Sequence, residues 1–426
     1  MSRQIDYRIA KFLFCSVVYF SLVFPIVFQS FKLFLICVTL FFSFIYFCRC
    51  KFNITYAKYN LIFILMFSFI GLSWSLYGLL LGNPGALPLL SVMAVYPLLF
   101  CFFSFLYQHE MEGRSVIRFF KICSWSLVFV QLAFLTSFFG LDGQFFYHLI
   151  LNVYSDLAVI DSGSTHLIFT LPNVGSLLFL LPFFFCYYML NDNASYIDLT
   201  LLLLMFIIVI LSGRRAFFVS VFLSVLFIIP PMMFFKLYSK KLSRKIFYLS
   251  SLIIIAIILV LSFTEFSMVS VVENIKTITD FETNADNYER LMQFFSLYNG
   301  YADYPIFGLG AGAVGEYIRS PEQPWAYELF YLSFLFQYGT FGSIFYLFGV
   351  CYITLSLLHK LKLKHVYINE KIVILCIVSG FLSFLIANGS NPYLAKFDYM
   401  WVIFFPLYFN IYINNLYKFR NSGVSK

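Results

Sequence analysis

The chain has 426 residues, of which 62% are hydrophobic, 22% aromatic and only 11% charged, and its mean hydropathy is +0.87. Soluble domains carry about 25% charged residues, so this composition excludes a soluble fold and predicts that lipid surrounds most of the chain. A net charge of +8 also suits a nucleic-acid binder, but the basic residues lie between apolar runs, as membrane topology requires. We therefore expect no nucleic-acid partner.

Apolar runs predict an all-α polytopic membrane protein with about twelve transmembrane helices, and we treat 1–426 as a single integral membrane domain. The sixth span contains Pro172 and Pro182, which we expect to kink it. The tenth is overlong, and we expect it to break near Gly339. The predicted spans are 12–28, 32–48, 60–80, 88–107, 118–139, 166–190, 199–211, 215–235, 246–263, 327–358, 372–387 and 398–417.

Two longer polar segments separate these spans on the outer side. The first covers 140–165, and the second, 264–325, is the longest polar stretch of the chain. We predict that the second forms one large loop between spans nine and ten, because it is the extramembrane region large enough to build a site. Its residues 268–278 carry apolar side chains at helical spacing, which predicts an amphipathic helix at the membrane interface.

The basic residues set the orientation of the chain. Most of the 28 lysines and arginines fall on the side that holds both termini, which is therefore cytoplasmic by the positive-inside rule. Positive charge on the opposite side is the exception and needs a reason. The basic residues on that outer side are Lys32, Arg214, Arg215, Lys276, Arg290, Arg319 and Lys396.

Two adjacent arginines, Arg214 and Arg215, lie between the seventh and eighth spans on the outer side. An arginine at the bilayer centre costs about 2.5 to 3.5 kcal/mol on insertion scales, so we expect a negative group to compensate. The guanidinium fork matches phosphate oxygens, which favours a lipid-linked phosphate or pyrophosphate. Snorkelling to the headgroups, or pairing with an outer-loop carboxylate, is the alternative.

The large loop contains Arg290 followed by a glycine-rich stretch with Gly308 and Gly310. Glycine permits positive φ and close backbone approach, so the amides of these glycines are candidates to face an anion. An ordinary glycine turn is the alternative, and no P-loop pattern follows. Arg290 is either an anion ligand or a partner of Asp286 or Glu289.

Glu328 lies at the outer boundary of the tenth span. A carboxylate there is costly unless it is paired or functional, so a general base and a charge partner of one arginine are both open readings. Lys396 and Asp398, at the start of the last span, are predicted to form a boundary pair. The outer histidines have no second donor at metal-ligand spacing, so we expect no metal and no cofactor.

Four segments together resemble the bacterial O-antigen polymerases (the Wzy family) and the related O-antigen ligases. With the large loop late in the chain, the likeness extends over most of the sequence. The segments are LPNVGS (171–176) with Pro182, LSGRRA (211–216), Glu289-Arg290 with YPIFGLG (304–310), and AYELFYL (326–332) before Gly339 and Gly342.

The resemblance implies glycosyl transfer at the periplasmic face of the bacterial inner membrane, from an undecaprenyl-pyrophosphate-linked oligosaccharide and without a metal. It also implies a chain-length regulator and a flippase of the same pathway as partners. Ligases tend to carry a His-Asn pair where Tyr327 and Glu328 stand here, which favours a polymerase. The implied site comprises Arg214, Arg215 and Arg319 for the pyrophosphate, Arg290 and Glu328 for catalysis, and the loop backbone at Gly308 and Gly310.

Two alternatives stay open. A ligase would transfer the finished polymer to the lipid A core. A flippase or transporter would carry charged residues in the middle of its spans, lining a cavity, and the span interiors here are nearly free of charge. The outer arginines and the large outer loop favour the enzyme class.

Overall fold

Helices make up nearly all of the regular structure, in agreement with the predicted all-α class, and one short hairpin is the exception within the described residues. The predicted amphipathic helix at 268–278 lies outside those residues. The computed structural model describes residues 2–49, 58–104, 113–138, 145–154, 159–161, 168–239, 241–263, 285–364 and 366–421.

Helices occupy each segment that hydropathy marks as apolar, although some ends differ from the prediction by eight to ten residues, as at Ser2 and Val174. The fourth segment is divided, because a π-helical turn (Ser91–Val95) joins two α-helices. The helices are α1 (Ser2–Val23), α2 (Gln29–Arg49), α3 (Lys58–Leu80), α4 (Ala86–Leu90), α5 (Tyr96–Ser104), α6 (Gly113–Phe138), α7 (Phe145–Tyr154), α8 (Val174–Leu190), α9 (Tyr196–Leu211), α10 (Arg215–Phe234), α11 (Leu242–Phe263), α12 (Ala285–Asp303), α13 (Phe330–Lys360), α14 (Ile368–Asn388) and α15 (Trp401–Asn421).

The polar segments contain structure that the sequence analysis does not predict. Helix α7 and strand β1 (Val159–Asp161) lie in 140–165, and helix α12 lies in the large loop. Strand β2 (Ile168–Thr170) pairs antiparallel with β1 and occupies the start of the predicted sixth span. These elements are short or only partly apolar, so a search for long apolar runs passes over them.

The two expected helix interruptions have different outcomes. Gly339 has φ 63° and ψ −176°, which confirms the predicted break within α13. Pro172 does not kink a helix, because α8 begins only at Val174, whereas Pro182 does lie inside α8. A proline just before a helix start leaves no backbone hydrogen bond broken, so this placement costs little.

Five described helices are long and apolar enough to cross a membrane: Gln29–Cys48, Lys58–Leu80, Gly113–Ser137, Phe330–Lys360 and Ile368–Asn388. Large apolar side chains cover the outside of the molecule. Examples are Phe34, Phe69 and Phe348, whose exposed fractions are 61%, 69% and 64%. Such a surface would be a liability in water, and it is the surface that a membrane-embedded protein presents to lipid.

The centre of the molecule is formed by α8, α14 and α15, whose side chains are almost all buried. Helix α14 packs against both α8 and α10. Because neighbouring helices cover their side chains on most sides, these three helices lie inside the bundle. The chain between α14 and α15 therefore passes over the middle of one end of the molecule.

That connecting chain is anchored by a buried ion pair. Lys32 Nζ lies 2.5 Å from Asp398 Oδ1, and the exposed fractions of the two side chains are 1% and 3%. Asp398 Oδ2 also accepts hydrogen bonds from the backbone N–H of Ile26, at 2.7 Å, and from Gln29 Nε2, at 3.1 Å. The predicted boundary pair of Lys396 with Asp398 is thus wrong, because Asp398 forms its ion pair with Lys32.

Candidate functional site

The candidate site is an ion-pair network around Glu328, just before α13. Arg290 Nε lies 2.8 Å from Glu328 Oε2, and Arg319 Nη2 lies 2.7 Å from Glu328 Oε1. Arg319 Nε also lies 3.2 Å from Glu289 Oε1. Each carboxylate oxygen of Glu328 therefore faces a different guanidinium group, an arrangement that we term the arginine clamp. Of the two open readings of Glu328, charge pairing is what this geometry shows.

Burial differs between the two sides of the arginine clamp. The Glu328 side chain is 15% exposed, whereas the side chains of Arg290 and Arg319 are each 38% exposed. The carboxylate is therefore mostly covered, and the arginines are open to anything that approaches from outside. Ion pairs with this much solvent access contribute about 0 to 1 kcal/mol each, so they can be exchanged for another anion at low cost.

Helix α12 positions the clamp through two side chains one turn apart. Arg290 pairs with the Glu328 side chain, and Gln293 Oε1 accepts the backbone N–H of Glu328 at 2.9 Å. Residues three apart lie on the same helix face, so one face of α12 fixes both the backbone and the carboxylate of Glu328. Gln293 is fully buried, so this hydrogen bond to the Glu328 backbone is shielded from water.

Tyr327 has a structural role next to Glu328. Its hydroxyl accepts the backbone N–H of Gly315 at 2.6 Å, and the residue is 1% exposed. Burial raises the pKa of Tyr327, although the bond from Gly315 acts in the opposite direction. Its hydroxyl thus stays protonated at physiological pH and holds the loop that carries Arg319.

The glycine-rich stretch is explained by close backbone packing. Gly308 and Gly310 have φ values of 68° and 83°. A Cβ on Gly308 would lie 2.6 Å from the Gly339 backbone N, and one on Gly310 would lie 2.8 Å from Gly78 Cα. The amide of Gly308 donates to the Tyr304 carbonyl at 3.0 Å. The geometry thus favours the ordinary turn over an anion site at Gly308.

The same stretch is tied to two helices by backbone hydrogen bonds. The N–H of Ala311 donates to the Trp74 carbonyl in α3 at 3.1 Å, and the N–H of Leu309 donates to the Phe336 carbonyl in α13 at 3.0 Å. Trp74 Nε1 returns a bond to the Phe307 carbonyl at 2.8 Å. The loop is therefore fixed across α3 and α13.

The adjacent arginines lie at the start of α10. Arg214 precedes the helix, and its Nη1 donates to the Tyr393 hydroxyl at 2.9 Å. Arg215 is the first residue of α10, and its side chain lies outside the part of the structure that is described. Tyr393 begins the turn Tyr393–Ala395, which leads directly to Lys396.

Lys396 joins this region, although the sequence analysis gives it no functional role. It lines a cavity of about 480 Å³. Burial of its ammonium group lowers the pKa of Lys396, and the positive charge of Arg214 and, more weakly, Arg319 lowers it further against the influence of Asp398. Arg214 and, more weakly, Arg319 thus act electrostatically on Lys396. The sequence feature that could have identified Lys396 is its positive charge on the predicted outer side.

Comparison with protein-family models, with curated proteins and with solved structures finds no match to this chain. The class that the fold defines is a helical protein with several helices suited to a membrane. Among the described residues, no group of three histidine, cysteine or acidic side chains is placed to hold a metal ion. The case for a function therefore rests on the chemistry of the site and on the motifs in the sequence.

Proposed function

We propose that this protein is an O-antigen polymerase of the bacterial inner membrane. It joins undecaprenyl-pyrophosphate-linked repeat units by glycosyl transfer at the periplasmic face. The proposal includes about twelve spans, cytoplasmic termini, and a periplasmic loop at 264–325. The observation that carries it is the arginine clamp, because a covered carboxylate with two accessible guanidinium groups supplies the two chemical functions that this reaction needs.

The reaction breaks one bond and forms one. An acceptor hydroxyl oxygen attacks the anomeric carbon of the donor sugar, and the bond from that carbon to the pyrophosphate oxygen breaks. The pyrophosphate-lipid leaves with the electron pair, and the hydroxyl proton passes to a base. Positive charge at the leaving oxygen and a base at the hydroxyl are therefore the two requirements.

The clamp meets both requirements through an exchange of partners. Arg290 and Arg319 each hold Glu328 by an ion pair that contributes about 0 to 1 kcal/mol. A pyrophosphate carries more negative charge and more acceptor oxygens than one carboxylate, so it can form more charge-assisted hydrogen bonds with the two guanidinium groups. An arriving donor thus draws the arginines away from the carboxylate. Glu328 is then free to accept the acceptor's proton, so the base becomes available only when the donor is bound.

The test is deletion of the gene in its host, followed by comparison of lipopolysaccharide ladders after complementation with variants. Glu328→Gln keeps the shape of the side chain but removes its charge, and loss of a general base lowers the rate by about 10² to 10⁴. We expect it to restore only core with a single repeat unit. Arg319→Lys removes the planar fork and should shorten the ladder. Arg244→Lys, at an exposed arginine of α11, is the matched control and should restore it fully.

Each outcome of the deletion separates the open alternatives. Core with a single repeat unit in the deletion strain supports a polymerase. Bare core with accumulated long lipid-linked polymer would mean a ligase. An unchanged ladder would remove the protein from O-antigen assembly, and normal ladders from Glu328→Gln at equal membrane levels would refute the role of the arginine clamp.

A further inference from the structure

An apolar groove runs between α3 and α13. Its volume is about 210 Å³, and its lining includes Ile62, Met66 and Ile70 from α3 and Phe345 and Phe348 from α13. We term it the α3–α13 groove. Met66 and Phe348 are 42% and 64% exposed, so the groove opens on the surface that the apolar helices would present to lipid.

The cavity that Lys396 lines has a different character, and we term it the polar cavity. Glu322, Gln337 and Lys396 contribute polar groups to its wall, and Trp325 contributes a large aromatic ring. Its volume of about 480 Å³ lies in the range of about 300 to 1,000 Å³ that is usual for small-molecule sites. Amide, carboxylate and ammonium groups beside an aromatic face suit the hydroxyls and the apolar face of a sugar.

The groove and the cavity share a wall. Met93, Phe334 and Tyr338 line both. Met93 belongs to the π-helical turn Ser91–Val95, and such single turns are frequent at functional sites. The apolar groove thus adjoins the polar cavity across these three side chains, so the molecule offers an apolar surface next to a polar one, as a ligand with a long apolar chain and a polar head requires.

The polar cavity borders the segment of chain that carries the candidate base. Tyr327, the residue before Glu328, forms part of its wall. A sugar in this cavity would thus lie beside that segment, while the exposed arginines of the clamp remain for the donor's pyrophosphate.

We propose that the α3–α13 groove and the polar cavity together bind the acceptor, a polyprenyl-linked saccharide, with its isoprenoid chain in the groove and its sugar in the cavity. The assignment of the acceptor rests on the proposed polymerase function. The place of the chain rests on the groove itself.

The experiment uses the full chain in phosphatidylglycerol nanodiscs. The probe is a polyprenyl-linked saccharide whose sugar–phosphonate bond cannot be cleaved, so that it can accept but not donate, with a benzophenone on the isoprenoid chain. The KM for this probe and for a natural donor is measured for wild type, Ile62→Trp, Met66→Trp and Leu65→Trp. Leu65 is the matched control because it is exposed on the same helix but does not line the groove.

Both groove variants should raise the KM for the probe about tenfold, because an added ring occupies the channel, and should leave the donor KM unchanged. Photo-crosslinks should map to α3 and α13. Crosslinks elsewhere, or equal effects of Leu65→Trp, would overturn the groove assignment. A change in donor KM alone would overturn the acceptor assignment. If wild type transfers no saccharide from the donor to the probe, the polymerase proposal and the acceptor assignment fail together. The crosslink positions still decide whether the isoprenoid chain binds in the groove.

Discussion

The buried pair of Lys32 and Asp398 allows a quantitative test of what fixes the chain between α14 and α15. Lys32→Met removes the charge and keeps an unbranched chain of similar length. It leaves the Asp398 carboxylate buried, with only the Ile26 N–H and the Gln29 amide as hydrogen-bond donors. Removing one partner of a buried pair typically costs about 3 to 5 kcal/mol, and exposed fractions of 1% and 3% place this pair in that class.

The double variant Lys32→Met/Asp398→Asn removes both charges, while the amide oxygen introduced by the second substitution can still accept the Ile26 N–H. We expect it to recover most of the loss, leaving a cost of about 1 kcal/mol for the weaker neutral hydrogen bonds. The four corners of this cycle give the coupling free energy directly. Lys58→Met, at an exposed lysine that begins α3, is the control and should change little.

The assay is thermal unfolding of the purified protein in detergent, followed by the loss of the monodisperse peak on size exclusion, with denaturant titration to convert the shift into a free energy. If the double variant is as unstable as the sum of the single variants, the two charges are not coupled. The ion pair would then not be what fixes the chain between α14 and α15.

Two further predictions concern the backbone and the charge of the site. Gly339→Ala should strongly destabilise the protein, because φ 63° with ψ −176° is accessible essentially only to glycine and the new Cβ would lie 2.3 Å from the Ile306 carbonyl oxygen. Gly82 is also at positive φ, but a Cβ there would have nothing within 4 Å, so Gly82→Ala should cost much less stability in the same unfolding assay. Binding of inorganic pyrophosphate, measured by calorimetry, should be full at neutral pH, where the Lys396 ammonium group is charged. It should weaken as the pH rises through the lowered pKa of Lys396, which lies below the ordinary lysine value of 10.5. Lys396→Arg should abolish this alkaline loss, because arginine stays charged. An unchanged alkaline profile in Lys396→Arg would show that the Lys396 ammonium group does not contribute to pyrophosphate binding.

The helices were largely predictable because lipid imposes a simple rule on them. A long run of apolar residues has to satisfy its backbone internally, so hydropathy locates the helix whatever its neighbours are. The break at Gly339 could also be predicted from a single residue, since glycine is the residue that tolerates such a backbone conformation. Helix α12 and the β1–β2 hairpin follow no such rule, because their stability comes from contacts with other parts of the chain.

The residues of the candidate site could also be predicted from the sequence only in part. Glu328 was identifiable as a costly charge near a predicted membrane boundary and Arg290 as a basic residue on the predicted outer side, but their pairing was not, since Arg290 had nearer acidic neighbours in Asp286 and Glu289. Lys32 and Asp398 are 366 residues apart, and no pattern in the sequence links them. A charge can be recognised from its local cost, whereas its partner depends on the packing of the whole bundle.

The loop fixed across α3 and α13 links two parts of the molecule mechanically. Its bonds to the Trp74 and Phe336 carbonyls join it to the same two helices that border the α3–α13 groove. Any widening of the distance between those helices must either stretch these bonds or shift the loop. Since the loop continues to Arg319, the spacing of these two apolar helices and the position of a charged side chain beyond their ends are not independent quantities.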